Sequence, residues 1–140
     1  MISNTAKASA LAMAAAITAT GIVVPAAMAQ EHWMEKIGHR WDVQENGWTG
    51  VWSRRTYRTT RSNIYDAVWT HPNHRNITAE LRITLSVRNE VTILRKDTSG
   101  TPNSCTYRGY LSSNGVDAWG THTCTITGAT VHRWTAKVRR

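Results

Sequence analysis

The side chains of this 140-residue chain best suited to chemistry are its rings: seven Trp, four Tyr and six His, with no Phe. A Trp or Tyr ring couples a large apolar body to one hydrogen-bond donor, whereas Phe offers only the body. Trp48, Trp52, Tyr65, Trp69, Tyr107 and Trp134 fall on one phase of the chain's alternating segments, and Arg95 and His122 share that phase. Rings and a few polar groups converging on one interior suit a site that holds a small apolar or aromatic ligand. They suit the packed core of a small barrel equally well.

Signatures of catalysis are missing from the sequence. It has no Gly-x-Ser-x-Gly elbow, no phosphate-cradling glycine loop and no His-Glu-x-x-His zinc helix. The carboxylates Asp66, Glu80, Glu90, Asp97 and Asp117 fall mostly in turns or at outward strand positions, where solvation explains them. His71 and His74 bracket a Pro-Asn turn, and such a pair ligates zinc only if a third ligand converges. The sequence therefore predicts a binding protein, not an enzyme, with no cofactor and no metal.

Charge opens an alternative. Past residues 1–29, which hold Lys7 and no acid, 16 Lys and Arg stand against 9 Asp and Glu, and 13 of the cations are Arg. An excess of this sign attracts polyanions. Arg54, Arg55, Arg58 and Arg61 cluster between two segments, with Arg139 and Arg140 at the C-terminus. The guanidinium fork engages two oxygens of a phosphate or carboxylate together. An envelope or matrix protein that binds anionic polymers, such as lipopolysaccharide, polysaccharide or nucleic acid, would use arginines placed this way.

The elements that must position these residues are legible from pattern. Residues 1–29 combine Lys7, an Ala-rich apolar stretch over 8–24 and Ala27-Met28-Ala29, which predicts a signal peptide and export to the periplasm or beyond. No later run reaches the ~20 apolar residues of a membrane-spanning helix. Residues 47–140 alternate Thr, Val, Ile, Trp and Tyr with polar residues between turn signals. Strands are predicted over 47–54, 63–70, 77–87, 91–96, 104–111, 116–125 and 131–138. Short connections make them an antiparallel up-and-down meander, closed into a small all-β barrel of about seven or eight strands.

Two hairpins fix the register. A two-residue Asn114-Gly115 turn pairs residues whose numbers add to 229, as those of Cys105 and Cys124 do, so a disulfide is predicted across the ladder. A three-residue loop at 88–90 would keep the apolar sets of the preceding and following strands on one face. Residues 30–46 read differently, because Trp33, Ile37 and Trp41 recur at spacing four. That segment is predicted as a short helix docked on one end of the sheet, or as a linker.

Gly50-Val51-Trp52 resembles the Gly-x-Trp that opens the first strand of lipocalin-like barrels. That resemblance implies an arginine, here Arg95 or Arg133, packed on Trp52. In length and in its Trp-rich strands the chain also resembles avidin-type barrels. From Trp48 to Ala136 it is similar to small secreted bacterial domains of unassigned function.

Overall fold

A computed structural model of the chain describes Gly21, residues 33–57 and residues 60–140. The expected leader, Gly21 apart, lies outside the described residues, as do Arg58 and the side chain of Arg61. Eight strands follow in order: β1 (Arg40–Glu45), β2 (Trp48–Tyr57), β3 (Thr60–His71), β4 (His74–Leu85), β5 (Glu90–Asp97), β6 (Ser104–Leu111), β7 (Asp117–Cys124) and β8 (His132–Arg139). Consecutive strands pair antiparallel, and β1 also pairs with β8, so the sheet closes into a barrel without a free edge. This is the all-β meander that the alternation predicts.

Side chains obey the period of two. Leu81, Ile83, Val91 and Ile93 are buried, while the alternate residues Arg82, Thr84 and Leu94 are exposed and Thr92 is half-covered. The β6–β7 register is the predicted one throughout, from Cys105↔Cys124 to Leu111↔Ala118, and the disulfide joins the first pair.

The turn that sets this register differs from the prediction. A type I′ turn needs φ > 0 at both central residues, and only Gly115 (φ 72°) of the two meets that requirement. Residues 113–116 form a four-residue loop instead, in which Ser112 N donates to Asp117 O at 2.7 Å and Gly115 N to Ser112 O at 2.8 Å. Loops of two and four residues conserve the same pair sum, so the register holds although the turn does not. The type I′ geometry occurs at Asn46 (φ 42°) and Gly47 (φ 81°), joining β1 to β2 with Glu45 opposite Trp48.

Two further predictions are corrected. The three-residue β4–β5 loop lies at 87–89, not 88–90, because Asn89 takes the left-handed position (φ 60°) and Ser86 N closes on Glu90 O at 2.9 Å. Leu85, not Val87, therefore opposes Val91, and Val87 is fully exposed. Among the described residues the N-terminal helix covers only 33–36, and Arg40–Glu45 is a strand, so the barrel starts at residue 40, not 47. The spacing of four reflects contact made by a chain reversal: Trp41 Nε1 donates to Ile37 O at 2.6 Å across the bend at Gly38. Pairing on both sides, with β2 and with β8, outweighs a local helical pattern of this length.

Candidate functional site

Strand order gives the barrel two unlike ends. The N-terminal segment closes the first, beside the β2–β3, β4–β5 and β6–β7 connections. There Ile37 is fully buried, and the Tyr65 hydroxyl bonds to Ile37 O (3.0 Å) and to Gly38 O. Tyr65 therefore belongs to the closure, and burial pushes its phenol well above the usual range.

The middle is filled with rings. Trp52 lies 5.6 Å from Trp41, 5.7 Å from Trp69, 5.7 Å from Tyr107 and 6.4 Å from Trp134, centroid to centroid. Gly50 makes this packing feasible, since a Cβ there would meet Trp69 Nε1 at 2.9 Å and Trp52 Nε1 at 3.1 Å. A buried aromatic cluster inside a closed barrel is compatible with ligand binding, but these rings occupy one another's contact surfaces. Trp52 and Trp134 are thus packed core.

Open space lies at the second end, bounded by the β1–β2, β3–β4, β5–β6 and β7–β8 connections. A cavity of about 260 Å³ opens there, walled by Trp48, Trp69, Ile77 and Ile126 and containing Glu45, Arg95 and His122 in its lining. Trp48 is held from behind by His74, stacked at 5.5 Å, and by His71 at 4.9 Å. Among the described residues no group of three metal-ligating side chains gathers, so the histidine pair has this packing role.

Beneath the cavity lies a buried polar cluster. Arg95 Nε donates to Asp97 Oδ1 at 2.6 Å, and Arg95 Nη1 donates to Glu45 Oε1 at 3.2 Å and to the Tyr107 hydroxyl at 3.0 Å. Tyr107 in turn donates to Glu45 Oε1 at 3.0 Å. The guanidinium carbon sits 3.9 Å from the Trp69 ring centroid, a cation–π contact. The arginine that the barrel resemblance places on Trp52 thus packs on Trp69, while Arg133 is exposed.

Three atoms of the cluster lack partners, Trp69 Nε1 and a facing pair. Glu45 Oε2 and His122 Nδ1 are buried, make no hydrogen bond and face each other at 3.9 Å. Burial raises the Glu45 carboxyl above its ordinary range, opposed by the hydrogen bond from Tyr107 and by Arg95. Burial also lowers His122 to about 4, helped by His132 and Arg95. His122 is then neutral at pH 7, so its approach to Glu45 is no ion pair. Its ring stacks on Tyr107 at 4.5 Å, which fixes its plane.

Of the eight ligand-site residues the sequence suggests, Trp48, Trp69, Arg95 and His122 converge on the cavity and Tyr107 supports its floor. Trp52, Trp134 and Tyr65 lie elsewhere in the interior. Sequence reasoning missed Glu45, Asp97, Ile77 and Ile126. Glu45 had a signal: Trp41, Val43 and Glu45 alternate up to an Asn-Gly turn, so an inward acid was readable once the strand was recognised. Asp97 reads as an ordinary loop acid in sequence, yet its side chain is 4% exposed beside Arg95.

Of the arginine group of the alternative reading, the two described side chains are engaged within the chain. Arg54 is half-buried, with Nε donating to Ser62 O, and Arg55 pairs with Asp66 and Glu80. Compared with known protein families, curated proteins and solved structures, the chain matches none. What fold and site define is a class by architecture: a closed eight-stranded antiparallel barrel, plugged at one end, with a polar-floored cavity at the other.

Proposed function

We propose that this barrel is a non-enzymatic binding protein that seats a small ligand with an apolar or aromatic body at its open end. The observation that supports the reading best is the pair of buried, unpartnered polar atoms, Glu45 Oε2 and His122 Nδ1, at an otherwise largely apolar cavity. A buried polar group without a partner costs roughly 1–3 kcal/mol, and a ligand that supplies the partner regains it. At about 260 Å³ the cavity is below the range of drug-sized pockets, so the ligand is small. The reading includes export, which the disulfide suits. No helix among the described residues is long and apolar enough to cross a membrane.

Titration with phenol, benzyl alcohol and cyclohexanol, followed by calorimetry and tryptophan emission, tests the proposal. At least one compound should give saturable one-to-one binding that Trp48→Ala weakens and Trp119→Ala, on the outer face, leaves intact. Folded protein without a saturable response to any of them overturns it, as does loss on changing Trp119 alone. Arg54 and Arg55 already have intramolecular partners, so the polyanion alternative is left to Arg58 and Arg61, outside the described side chains.

A further inference from the structure

We infer that the cavity selects ligands carrying a small ammonium group, which sits between Glu45 Oε2 and His122 Nδ1. The inference rests on the binding role proposed above and names the chemistry of the ligand's head.

Charge balance supports it first. The buried cluster contains two carboxylates, Glu45 and Asp97, and one guanidinium, Arg95. Asp97 engages Arg95 through two contacts, from Nε at 2.6 Å and from Nη2 at 3.4 Å, so that pair is nearly self-contained. Glu45 then carries the unbalanced negative charge, and its Oε1 is occupied by Arg95 and Tyr107. The remaining charge is directed to Oε2, the atom with no partner.

Geometry supports it next. A separation of 3.9 Å is too long for Glu45 and His122 to bond each other. It is short enough for one nitrogen to contact both atoms at about 2.8 Å, the length of a charge-assisted hydrogen bond, once the two buried side chains part to admit it. With its proton on Nε2, neutral His122 offers Nδ1 as an acceptor, and the carboxylate accepts as well. A head group with at least two N–H donors satisfies both; a carboxylate satisfies neither. The Trp48 and Trp69 rings and the Ile77 and Ile126 side chains then receive the ligand's apolar body.

Binding should follow the ionisation of Glu45. The groups facing it are Arg95 and Asp97 from β5, Tyr107 from β6, His122 from β7 and, beyond His122 with ring centroids at 5.5 Å, His132 from β8. His122 titrates only near pH 4. Because the Glu45 carboxyl is raised, acid converts it to the neutral form above its ordinary range, and the ammonium loses its partner.

The experiment compares benzylamine, benzyl alcohol and benzoate, which share one ring and differ in the head group. At pH 8 benzylamine should bind about tenfold tighter than benzyl alcohol, the difference between a charge-assisted and a neutral hydrogen bond, with benzoate weakest. Glu45→Gln should bring benzylamine down to the alcohol. As pH is lowered from 8, benzylamine affinity should fall at a pH above the ordinary carboxylate range while that of benzyl alcohol holds, and His132→Gln should retain the fall. This series needs no change at Glu45, so it stands even if that variant does not fold. Binding of the alcohol without preference for the amine, or benzoate equal to the amine, overturns the ammonium inference and leaves the binding role intact. Absence of binding by all three removes both.

Discussion

Replacing Arg95 by Met takes the single cation out of a buried set of three charges. Arg95 contacts Asp97, Glu45 and Tyr107 at 2.6–3.2 Å, and the three charged side chains are only 4–6% exposed. Methionine keeps the apolar stem, so the loss is chiefly electrostatic, and two carboxylates are left facing each other in a site that already raises Glu45. Removing one partner of a buried ion pair costs about 3–5 kcal/mol, which sets the expectation at pH 7.

The loss should carry a pH signature of definite sign. In the variant the Glu45 carboxyl loses the Arg95 charge that opposes its burial, so its folded pKa stands still further above its unfolded value. A group raised in this way contributes stability that is fully present below the unfolded pKa and lost as pH rises through the folded one. Acid therefore rescues the variant. Each unit that the substitution adds to the Glu45 pKa is about 1.4 kcal/mol, so the deficit should shrink as pH falls from 7 to 5. Urea unfolding at both pH values, followed by tryptophan emission, measures this. A deficit equal at pH 7 and pH 5, or one under about 1 kcal/mol at pH 7, refutes the reading of a charge cluster held together by Arg95.

The Cys105–Cys124 bridge spans a sequence separation of 19, and closing a loop of that size is worth about 3 kcal/mol. Reduction should lower the melting temperature by roughly 10 °C or more, and a shift under about 3 °C shows that the bridge adds little to the hairpin. Gly109 and Gly120 oppose each other on β6 and β7, where a Cβ would meet Trp119 O at 1.9 Å and Arg108 O at 2.0 Å. Both obstacles are backbone, so Gly120→Ala must push the strands apart. A cost of about 1–3 kcal/mol is expected in thermal unfolding, and an unchanged melting curve contradicts so close an approach.

Period-two patterning carried most of the fold, because each strand has one face in the core and a register slip of one residue would turn that face outward. It failed where two periods overlapped. Trp33, Ile37 and Trp41 satisfy a helical spacing, while Trp41, Val43 and Glu45 satisfy a strand spacing, and pairing with β2 and with β8 decides between them. The β8 half of that pairing joins residues nearly a hundred positions apart, such as Arg40↔Arg139, which no local window contains. The site was legible in part for the same reason. Trp48, Trp69, Arg95 and His122 share the inward phase, but phase says nothing of depth along the barrel axis. It could not separate Trp52 and Trp134, in the packed middle, from Trp48 at the mouth. Nor could sequence match Glu45 to Arg95, which lie on strands that are not neighbours in the sheet and meet only across the interior.

The two ends of the barrel satisfy their polar groups differently, although Arg54 Nη2, beside the plugged end, is also buried without a partner. At the plugged end Trp41 and Tyr65 direct their donors to the carbonyl oxygens of Ile37 and Gly38, and that end is closed within the chain. At the open end Glu45 and His122 retain unused bonding capacity. The disulfide lies at the open end: Cys105↔Cys124 is the last residue pair of the β6–β7 ladder before the connection that supplies Ile126. Asn103, next to the same pair, accepts from Thr125 Oγ1 at 3.1 Å and from Ile126 N at 3.2 Å. The only covalent cross-link among the described residues therefore anchors the wall of the cavity. A β-hairpin inside a closed barrel is already restrained by its neighbours on both sides, whereas the loop beyond it is not. The bridge thus acts where the fold alone would leave the cavity wall least defined.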